Sequence, residues 1–254
     1  MEIGATSDRA AGSAEPADGS PVSLTEADFH PSVAGHHRRI DAALWDDIYV
    51  VGDVHGCIDE LRRLMDVLDP SADDLVVFVG DLVRKGPDTA AVVEYVRSRD
   101  NLVSVRGNNE HKLIHDRKQV ASLGPADETY LESLPVALSW DGALVVHGGV
   151  DPSCPLTDQD AESLLNCRSP GGEGYDGPFW FETYRRQPRV FFGHTVLEAP
   201  VRTEWAVGLD TGCVYGGSLT AYDYRRDRFV SVPATETYEE RADRKVLAPD
   251  DVNA

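Results

Sequence analysis

The stretch DIYVVGDVHG, residues 47–56, decides the fold of this chain. Its apolar half, residues 47–51, is typical of a short buried strand and ends at a glycine. Asp53 and His55 follow at once, and because they are two apart on an extended segment their side chains fall on one side. A carboxylate and an imidazole offered together are ligands for a divalent transition metal. The stretch therefore predicts a strand whose carboxyl end carries a metal site.

The same arrangement recurs along the chain, with apolar runs ending in polar, glycine-flanked motifs. The motifs are GDVHG (52–56), GDLVRKGP (80–87), RGNNE (106–110), HGG (147–149) and GHT (193–195). One such motif is weak evidence, because an Asp after a strand is often a turn residue and a buried His is often only hydrogen-bonded. Ligands of open α/β sheets collect beyond the carboxyl ends of strands. The recurrence in this order predicts one shared site.

The residue types in these motifs indicate phosphate chemistry. Asp81 is placed to bridge two ions, Asn108 supplies a neutral oxygen, and His147 and His194 form a nitrogen-rich second position. Two ions about 3.5–4 Å apart can acidify a bridging water and clamp phosphoryl oxygens during in-line attack. The sequence therefore predicts a two-metal phosphoesterase.

Helices and strands alternate in the first half of the chain. Residues 47–51, 75–79 and 102–105 are predicted strands, and residues 58–68 and 88–97 have helical spacing between them. This order favours parallel strands with helices on the sheet faces. The second half is richer in strands, predicted over 136–139, 143–146, 189–192, 201–203, 205–209, 219–224 and 228–232. A mixed sheet or two packed sheets is expected.

Composition divides the chain into a domain with two tails. Residues 1–36 are acidic and rich in Ala, Gly, Ser and Pro, which predicts a disordered tail. A single α/β domain is expected over 37–234 and a flexible C-terminal tail over 235–254. The glycine- and proline-rich residues 166–178 are expected to form a loop at the rim of the site.

The charge balance excludes several classes of function. The 254 residues carry a formal charge of −20, from 44 acidic against 24 basic side chains. Such a surface repels nucleic acid and anionic membranes, so neither is an expected partner. Abundant Asp with scarce Lys suggests a halophilic protein that works in concentrated salt; the alternative is an ordinary acidic protein.

Cysteine spacing and the lack of a secretory or membrane-spanning pattern indicate the compartment. The four cysteines form no CxxC pair, which is typical of reduced thiols. The N-terminus lacks the order of basic and apolar residues that marks a secretory signal, and no apolar run has the length of a membrane span. A cytoplasmic location is therefore expected.

The ordered motifs resemble those of the calcineurin-like metallophosphoesterases. The resemblance is strongest to the branch of phosphoprotein phosphatases and symmetrical diadenosine tetraphosphatases, and it extends over roughly residues 48–225, including LDTGCVYGGSLTAYDY (209–224). It implies a β-sandwich of mixed sheets flanked by helices. It also implies two divalent ions, with Mn²⁺ favoured and Fe, Co²⁺ or Zn²⁺ as alternatives.

The resemblance also implies roles for individual residues. The first ion would be held by Asp53, His55 and Asp81, and the second by Asp81, Asn108, His147 and His194. Arg106 matches an arginine that contacts the substrate phosphate. Lys85 falls where protein phosphatases carry another such arginine, and Arg84 lies beside it in the same substrate-binding motif.

Two residues depart from the family pattern. Where members carry a histidine that assists the leaving group, this chain has Asn109, and where protein phosphatases carry the aspartate that orients that histidine, it has Arg84. An amide cannot act as a general acid. His111 could replace the histidine, but at the start of a helix its side chain is expected to point elsewhere.

The loss of the acid favours substrates that do not need one. Hydrolysis of a nucleoside polyphosphate such as diadenosine tetraphosphate releases a nucleotide that is a stable anion. Nucleoside polyphosphates are therefore the expected small-molecule substrates. Two alternatives stay open. One is a protein serine/threonine phosphatase, whose partner would be a phosphoprotein. The other is a degenerate, non-catalytic module that binds metal or nucleotide.

Overall fold

Two mixed β-sheets pack face to face, and helices cover both outer faces. The computed structural model describes residues 20–115, 120–170 and 174–248, so the tail predicted over 1–19, part of the predicted rim loop and residues 249–254 lie outside the described residues. The helices are α1 (Pro31–Ala34), α2 (Ile58–Leu68), α3 (Thr89–Arg97), α4 (Asn108–His115), α5 (Pro125–Ser133), α6 (Ala161–Asn166) and α7 (Trp180–Thr183).

The strands form a five-stranded and a six-stranded sheet. The strands are β1 (His37–Arg39), β2 (Ile48–Val51), β3 (Leu75–Phe78), β4 (Leu102–Ser104), β5 (Ala137–Trp140), β6 (Ala143–Val146), β7 (Arg189–Phe192), β8 (Val201–Arg202), β9 (Ala206–Gly208), β10 (Ser218–Asp223) and β11 (Arg228–Pro233). One sheet has the order β11-β10-β2-β3-β4, and the other has the order β1-β5-β6-β7-β9-β8. The pairs β2–β3, β3–β4, β6–β7 and β7–β9 are parallel. The predicted sandwich of mixed sheets with flanking helices is confirmed.

Burial on both faces explains why the central strands are continuous apolar runs. In β2, Ile48 and Val50 face the core between the sheets. Tyr49 and Val51 of the same strand face the core under α2 and α3. Successive side chains of a strand point to opposite faces, so a strand covered on both sides must be apolar throughout. The sheets therefore enclose one core and share two more with the helices.

The helices that follow β2 and β3 have clear sequence signals. In α2, Leu61, Leu64 and Met65 recur at helical spacing and are buried against the sheet. The side chain of Asp88 caps α3 by accepting a hydrogen bond from the backbone N–H of Ala91, at 2.9 Å. Both helices agree with the sequence prediction. Each crossover returns the chain so that the next strand ends on the same edge of the sheet.

The described parts of both predicted tails contact the domain. Residues 20–36, placed in the disordered tail by composition, contain α1, and Leu24, Phe29 and Val33 are buried there. Three apolar side chains among polar ones are too few to show a period, but they pack on the outer face of the six-stranded sheet. At the other end, residues 235–248 hydrogen-bond to the backbone at Val214 and Val196. The domain boundaries stay a prediction.

Across residues 20–115, 120–170 and 174–248, the helices are too short or too polar for any of them to cross a bilayer.

Candidate active site

The residues predicted to bind metal meet where the central strands end. Asp53 and His55 follow β2, Asp81 follows β3, Asn108 begins α4 after β4, His147 follows β6 and His194 follows β7. Parallel strands bring their carboxyl ends to the same edge, so residues distant in sequence become neighbours. The structure therefore gathers all six into one place.

Asp81 lies at the centre of this cluster. Its Oδ2 atom is 3.5 Å from Nε2 of His55 and 3.5 Å from Nε2 of His147. Nε2 of His55 is also 3.8 Å from Oδ2 of Asp53. The ring of His194 lies 5.0 Å from that of His147, centre to centre. A carboxylate between two imidazoles is the arrangement expected of a ligand shared by two ions.

The histidines are oriented as metal ligands usually are. Nδ1 of His55 bonds to the carbonyl oxygen of Val83 at 3.1 Å, and Nδ1 of His147 to that of Val79 at 2.9 Å. These bonds fix each ring and, in the neutral imidazole, hold the proton on Nδ1, so that Nε2 can bind a cation. Nε2 of His147 and of His194 is buried and has no hydrogen-bond partner among the described residues. A buried nitrogen without a partner is costly, and a bound cation would satisfy it.

Crowded carboxylates give the site a strong demand for positive charge. Burial and the carboxylates of Asp210 and Asp81 raise the pKa of Asp53 well above its usual value. Burial also raises the pKa of Asp210. Although burial alone would lower it, the pKa of His147 is raised to about 9 by Asp81 and Asp53. The donor set of carboxylate, amide and imidazole groups, with this charge demand, fits divalent ions.

Asn109 and Arg84, the two departures from the family pattern, are bonded to each other. Nη1 of Arg84 donates to Oδ1 of Asn109 at 3.0 Å. Nδ2 of Asn109 donates to Oδ2 of Asp81 at 2.5 Å and to Oδ1 of Asn108 at 3.0 Å. Both ends of the amide are therefore used. The arginine supplies the donor that an amide oxygen needs, which explains why the two departures occur together.

Backbone geometry at the site is unusual. His55, Asp81, Arg84, Lys85 and His194 all have positive φ, between 50° and 69°. This region is uncommon for residues other than glycine and costs of order 1–3 kcal/mol each. Such strain persists only where surrounding contacts impose it, and here it turns each side chain toward the cluster.

Glu110 is a site residue to which the sequence assigned no role. Its carboxylate accepts hydrogen bonds from the backbone N–H groups of Gly107 at 2.7 Å, Asp81 at 2.9 Å and Val83 at 3.1 Å. It is fully buried, and burial with the nearby charge of Asp81 raises its pKa to about 7. It joins the loops after β3 and β4. The sequence signal that could have identified Glu110 is its position as the last residue of the RGNNE motif.

Of the residues predicted to contact the substrate, Lys85 lies at the ligand cluster and Arg106 is bonded to a neighbouring helix. Nζ of Lys85 lies 2.9 Å from Nε2 of His55, within the ligand cluster. Nη2 of Arg106 instead donates to the carbonyl oxygens of Glu132 at 2.8 Å and Leu134 at 3.0 Å, at the end of α5. The structure therefore brings Lys85 to the site, while the bonds of Arg106 hold it to α5.

His111, considered as a substitute acid, points away from the cluster. Its Nε2 atom lies 3.8 Å from Oε2 of Glu162, and its ring lies against that of His115 at a tilt of 45°. As expected for a residue at the start of a helix, it faces a neighbouring helix rather than the ligands.

Comparison with known proteins identifies the family. The family model described as calcineurin-like phosphoesterase matches residues 47–205. The asymmetrical bis(5'-nucleosyl)-tetraphosphatase PrpE of Anoxybacillus flavithermus is 30% identical over 233 residues, which cover 74% of this chain and 95% of the relative. The symmetrical bis(5'-nucleosyl)-tetraphosphatase of Vibrio campbellii is 26% identical over 249 residues, covering 68% of this chain and 93% of the relative.

A solved structure has the same fold. The crystal structure of a protein provisionally named diadenosine tetraphosphatase superposes with a TM-score of 0.71 at 28% sequence identity. The match covers 78% of this chain and 98% of that one. The likeness therefore extends over almost all of that structure.

Gly193 tests whether Asp53 is a metal ligand. A Cβ atom on Gly193 would lie 1.9 Å from Oδ1 of Asp53, so Gly193→Ala must displace that carboxylate. We expect Mn²⁺ affinity to fall about 10–100-fold, as when the support of a ligand is lost. Calorimetric titration with Mn²⁺ measures it. Gly35→Ala is the control, because its Cβ would meet nothing within 4 Å. Unchanged affinity in Gly193→Ala would contradict a ligand role for Asp53.

Proposed function

The chain belongs to the calcineurin-like phosphoesterases, and we propose that it hydrolyses the phosphoanhydride bonds of dinucleoside polyphosphates such as diadenosine tetraphosphate. The observation that carries this proposal is the hydrogen-bonded Arg84–Asn109 pair, in which Asn109 stands at the position of the family's proton-donating histidine and Arg84 at that of the aspartate that orients it. Membership of the family makes the chain a metal-dependent hydrolase. The substrate, the metal and the residue roles below are proposals.

Two divalent ions, most simply Mn²⁺, are proposed as the cofactors. Asp53, His55 and Asp81 would hold one, and the other would be held by Asp81, Asn108, His147 and His194. The buried Nε2 atoms of His147 and His194 support this assignment. When bound, such a pair of ions supplies an acidified water and stabilises charge on the phosphoryl oxygens.

The choice of substrate depends on the leaving group. A serine alkoxide must be protonated as it leaves, and a general acid contributes about 10²–10⁴-fold to that step. The second pKa of a nucleotide phosphate is about 6, so the nucleotide leaves as an anion with little need of a proton from a general acid. Asn109 cannot donate a proton as an acid, and its amide is held by Arg84 and Asp81. The rate of anhydride hydrolysis therefore falls least when the general acid is missing.

Arg84, Lys85 and Arg106 are proposed to contact the substrate. The ammonium group of Lys85 lies beside His55, where it can reach a phosphate at the metal ligands. The Arg84 guanidinium next to Asn109 can stabilise negative charge on a departing phosphate oxygen without donating a proton. Nε of Arg106 is buried and has no partner among the described residues, so that side of its guanidinium stays available for phosphate.

The names of the relatives agree with this substrate class but differ in where the chain of four phosphates is cut. Symmetrical hydrolysis yields two ADP, and asymmetrical hydrolysis yields ATP and AMP. Relatives with both names match this chain. The nucleotide products of diadenosine tetraphosphate hydrolysis distinguish the two cleavage positions.

We also propose a cytoplasmic, salt-adapted protein. All four cysteines are free, which suits a reducing compartment. The formal charge of −20 is best tolerated where salt screens self-repulsion.

The first experiment compares substrates. With Mn²⁺ present, we expect kcat/KM for diadenosine tetraphosphate to exceed that for a phosphoserine peptide by at least about 100-fold, the smaller estimate for a general acid. Released phosphate measures turnover of the peptide, and chromatography of the nucleotides measures turnover of diadenosine tetraphosphate. Asp81→Asn, which removes a central ligand charge, is the inactive control. Faster turnover of the peptide would support a protein phosphatase, and metal binding without turnover of any substrate would support a non-catalytic module.

The second experiment restores the missing acid. In Arg84→Asp/Asn109→His, a carboxylate replaces the guanidinium that would otherwise lower the pKa of the new histidine. We expect phosphomonoesterase activity to rise relative to anhydride hydrolysis by at least about tenfold, since only the poor leaving group needs the proton. Asn109→His alone should give a smaller rise. Equal changes on both substrates would show that proton donation does not set the preference.

The third experiment measures stability against salt. We expect the melting temperature to rise between dilute buffer and molar KCl, because screening weakens repulsion among the excess acids. Differential scanning calorimetry in KCl measures it. A melting temperature that is higher in dilute buffer would exclude the salt-adapted alternative.

A further inference from the structure

The C-terminal strap, residues 234–248, crosses the mouth of the candidate site. At its start, the backbone N–H of Tyr238 donates to the carbonyl of Val214 at 3.1 Å. At its end, the N–H of Leu247 donates to the carbonyl of Val196 at 2.9 Å, and Leu247 is buried. Val214 follows the DTG motif and Val196 follows the GHT motif. The strap is therefore fixed to loops on two sides of the ligand cluster.

Arg241 is the residue that the strap holds over the site. Its Nε atom donates to the carbonyl of Lys245 at 2.8 Å, and its Nη2 atom donates to the hydroxyl of Tyr175 at 2.7 Å. The guanidinium carbon lies 4.6 Å from the ring centre of Tyr215. Among the described residues its Nη1 group makes no hydrogen bond. The guanidinium is thus positioned by two bonds and keeps a donor group for a ligand.

Two other cations continue this arrangement down to the metal ligands. Nζ of Lys85 lies 5.2 Å from the ring centre of Tyr215 and 2.9 Å from Nε2 of His55. The guanidinium carbon of Arg168 lies 5.2 Å from the ring centre of Tyr175, and its Nη2 atom donates to the carbonyl of His194 at 3.0 Å. A cation–tyrosine rim therefore runs from His55 to His194. Its members are Lys85, Tyr215, Arg241, Tyr175 and Arg168.

The charge of this rim is unusual for the chain. Three of only 24 basic residues meet here, whereas the chain as a whole has 20 more acidic than basic side chains. The buried acids Asp81 and Asp210 both act on Lys85, and Asp210 also acts on Arg241. Nε of Arg168 is buried and has no hydrogen-bond partner among the described residues, as expected where an anionic ligand would bind.

Space for a ligand lies beside the rim. A groove of about 400 Å³ is lined by Arg168 and Asn166, together with the acidic side chains of Asp151 and Glu162. Nδ2 of Asn108 donates to Oδ1 of Asn166 at 3.3 Å, so the groove opens next to a proposed metal ligand. The groove therefore begins beside the ligand cluster, at the Arg168 end of the rim.

We propose that Arg241, with Tyr175, binds the phosphate that follows the scissile phosphate in a nucleoside polyphosphate. This inference rests on the proposed function for its substrate class. Arg241 is separated from His55 by the side chains of Lys85 and Tyr215, so it lies beyond the place of the phosphate that is attacked. A planar guanidinium held by neighbours binds phosphate oxygens in a defined geometry. Arg241 thus selects a chain of phosphates over a single one.

The test measures binding of phosphate, AMP and ADP to the Mn²⁺-loaded protein by calorimetry. These probes separate one phosphate, one phosphate with a nucleoside, and two phosphates with a nucleoside. For Arg241→Ala we expect Kd for ADP to rise at least about tenfold while Kd for phosphate and AMP changes less than about threefold, since a charged hydrogen bond contributes about 1.5–3 kcal/mol. Arg241→Lys should recover part of the loss. Arg244→Ala, an exposed arginine on the same strap, is the matched control.

Each contrary outcome has a distinct meaning. An equal loss for AMP and ADP would overturn the assignment, because the nucleoside and not the second phosphate would be recognised. An equal loss for all three probes would also overturn it and indicate that the strap only supports the fold, which a lowered melting temperature of Arg241→Ala would show independently. If the ADP effect appears but diadenosine tetraphosphate is not hydrolysed, the phosphate subsite stands and the proposed function fails.

Discussion

The site is organised around the carboxylate of Asp81. Its Oδ2 atom lies 3.5 Å from imidazole nitrogens on both sides, and its Oδ1 atom accepts the backbone N–H of Asn109 at 2.9 Å. Its own backbone N–H donates to Glu110, and its φ of 53° turns the side chain toward the cluster. A buried carboxylate in this position is tolerable only with several donors or cations around it. The loops after β3 and β4 are held in place to supply them.

The need for hydrogen-bond partners around the buried carboxylate of Asp81 explains why the two departures from the family pattern, Asn109 and Arg84, are coupled. An aspartate orients a histidine by accepting its N–H, whereas the oxygen of Asn109 needs a donor, and Arg84 provides it at 3.0 Å. The other end of the amide bonds to Asp81. A change at one position alone would leave a donor or acceptor unsatisfied next to the buried carboxylate. The pair is therefore one structural unit, which brings a fixed positive charge beside Asn109.

Charge is also distributed in a way that composition cannot reveal. The chain as a whole is acidic, but the strap folds back to place Arg241 against Tyr175 and Tyr215. Trp180 and Phe181 follow Tyr175 closely in the sequence, but both are fully buried in the core under the six-stranded sheet. The accessible tyrosines of the site come from the loop and from the end of the DTG segment instead.

Much of the architecture was determined by the sequence itself. Buried strands must be apolar on both faces and helices must show a period near 3.6, so β2 to β4 with α2 and α3 follow from local pattern. Glycine-flanked Asp, His and Asn residues after those strands indicate a metal edge for the same reason. Short elements such as β1 and α1 carry no such period, because three or four residues are stabilised by what they pack against.

Only the tertiary structure decided which side chains meet. The Arg84–Asn109 bond, the three backbone bonds to Glu110 and the position of Arg241 depend on distances between segments up to 156 residues apart, as between Lys85 and Arg241. A local pattern records burial and backbone preference, since these act within one element. Pairing of polar groups across loops is set by the packing of the whole sandwich. For this reason the candidate ligands could be predicted from the chain, whereas the residues that support them and the proposed phosphate subsite could not.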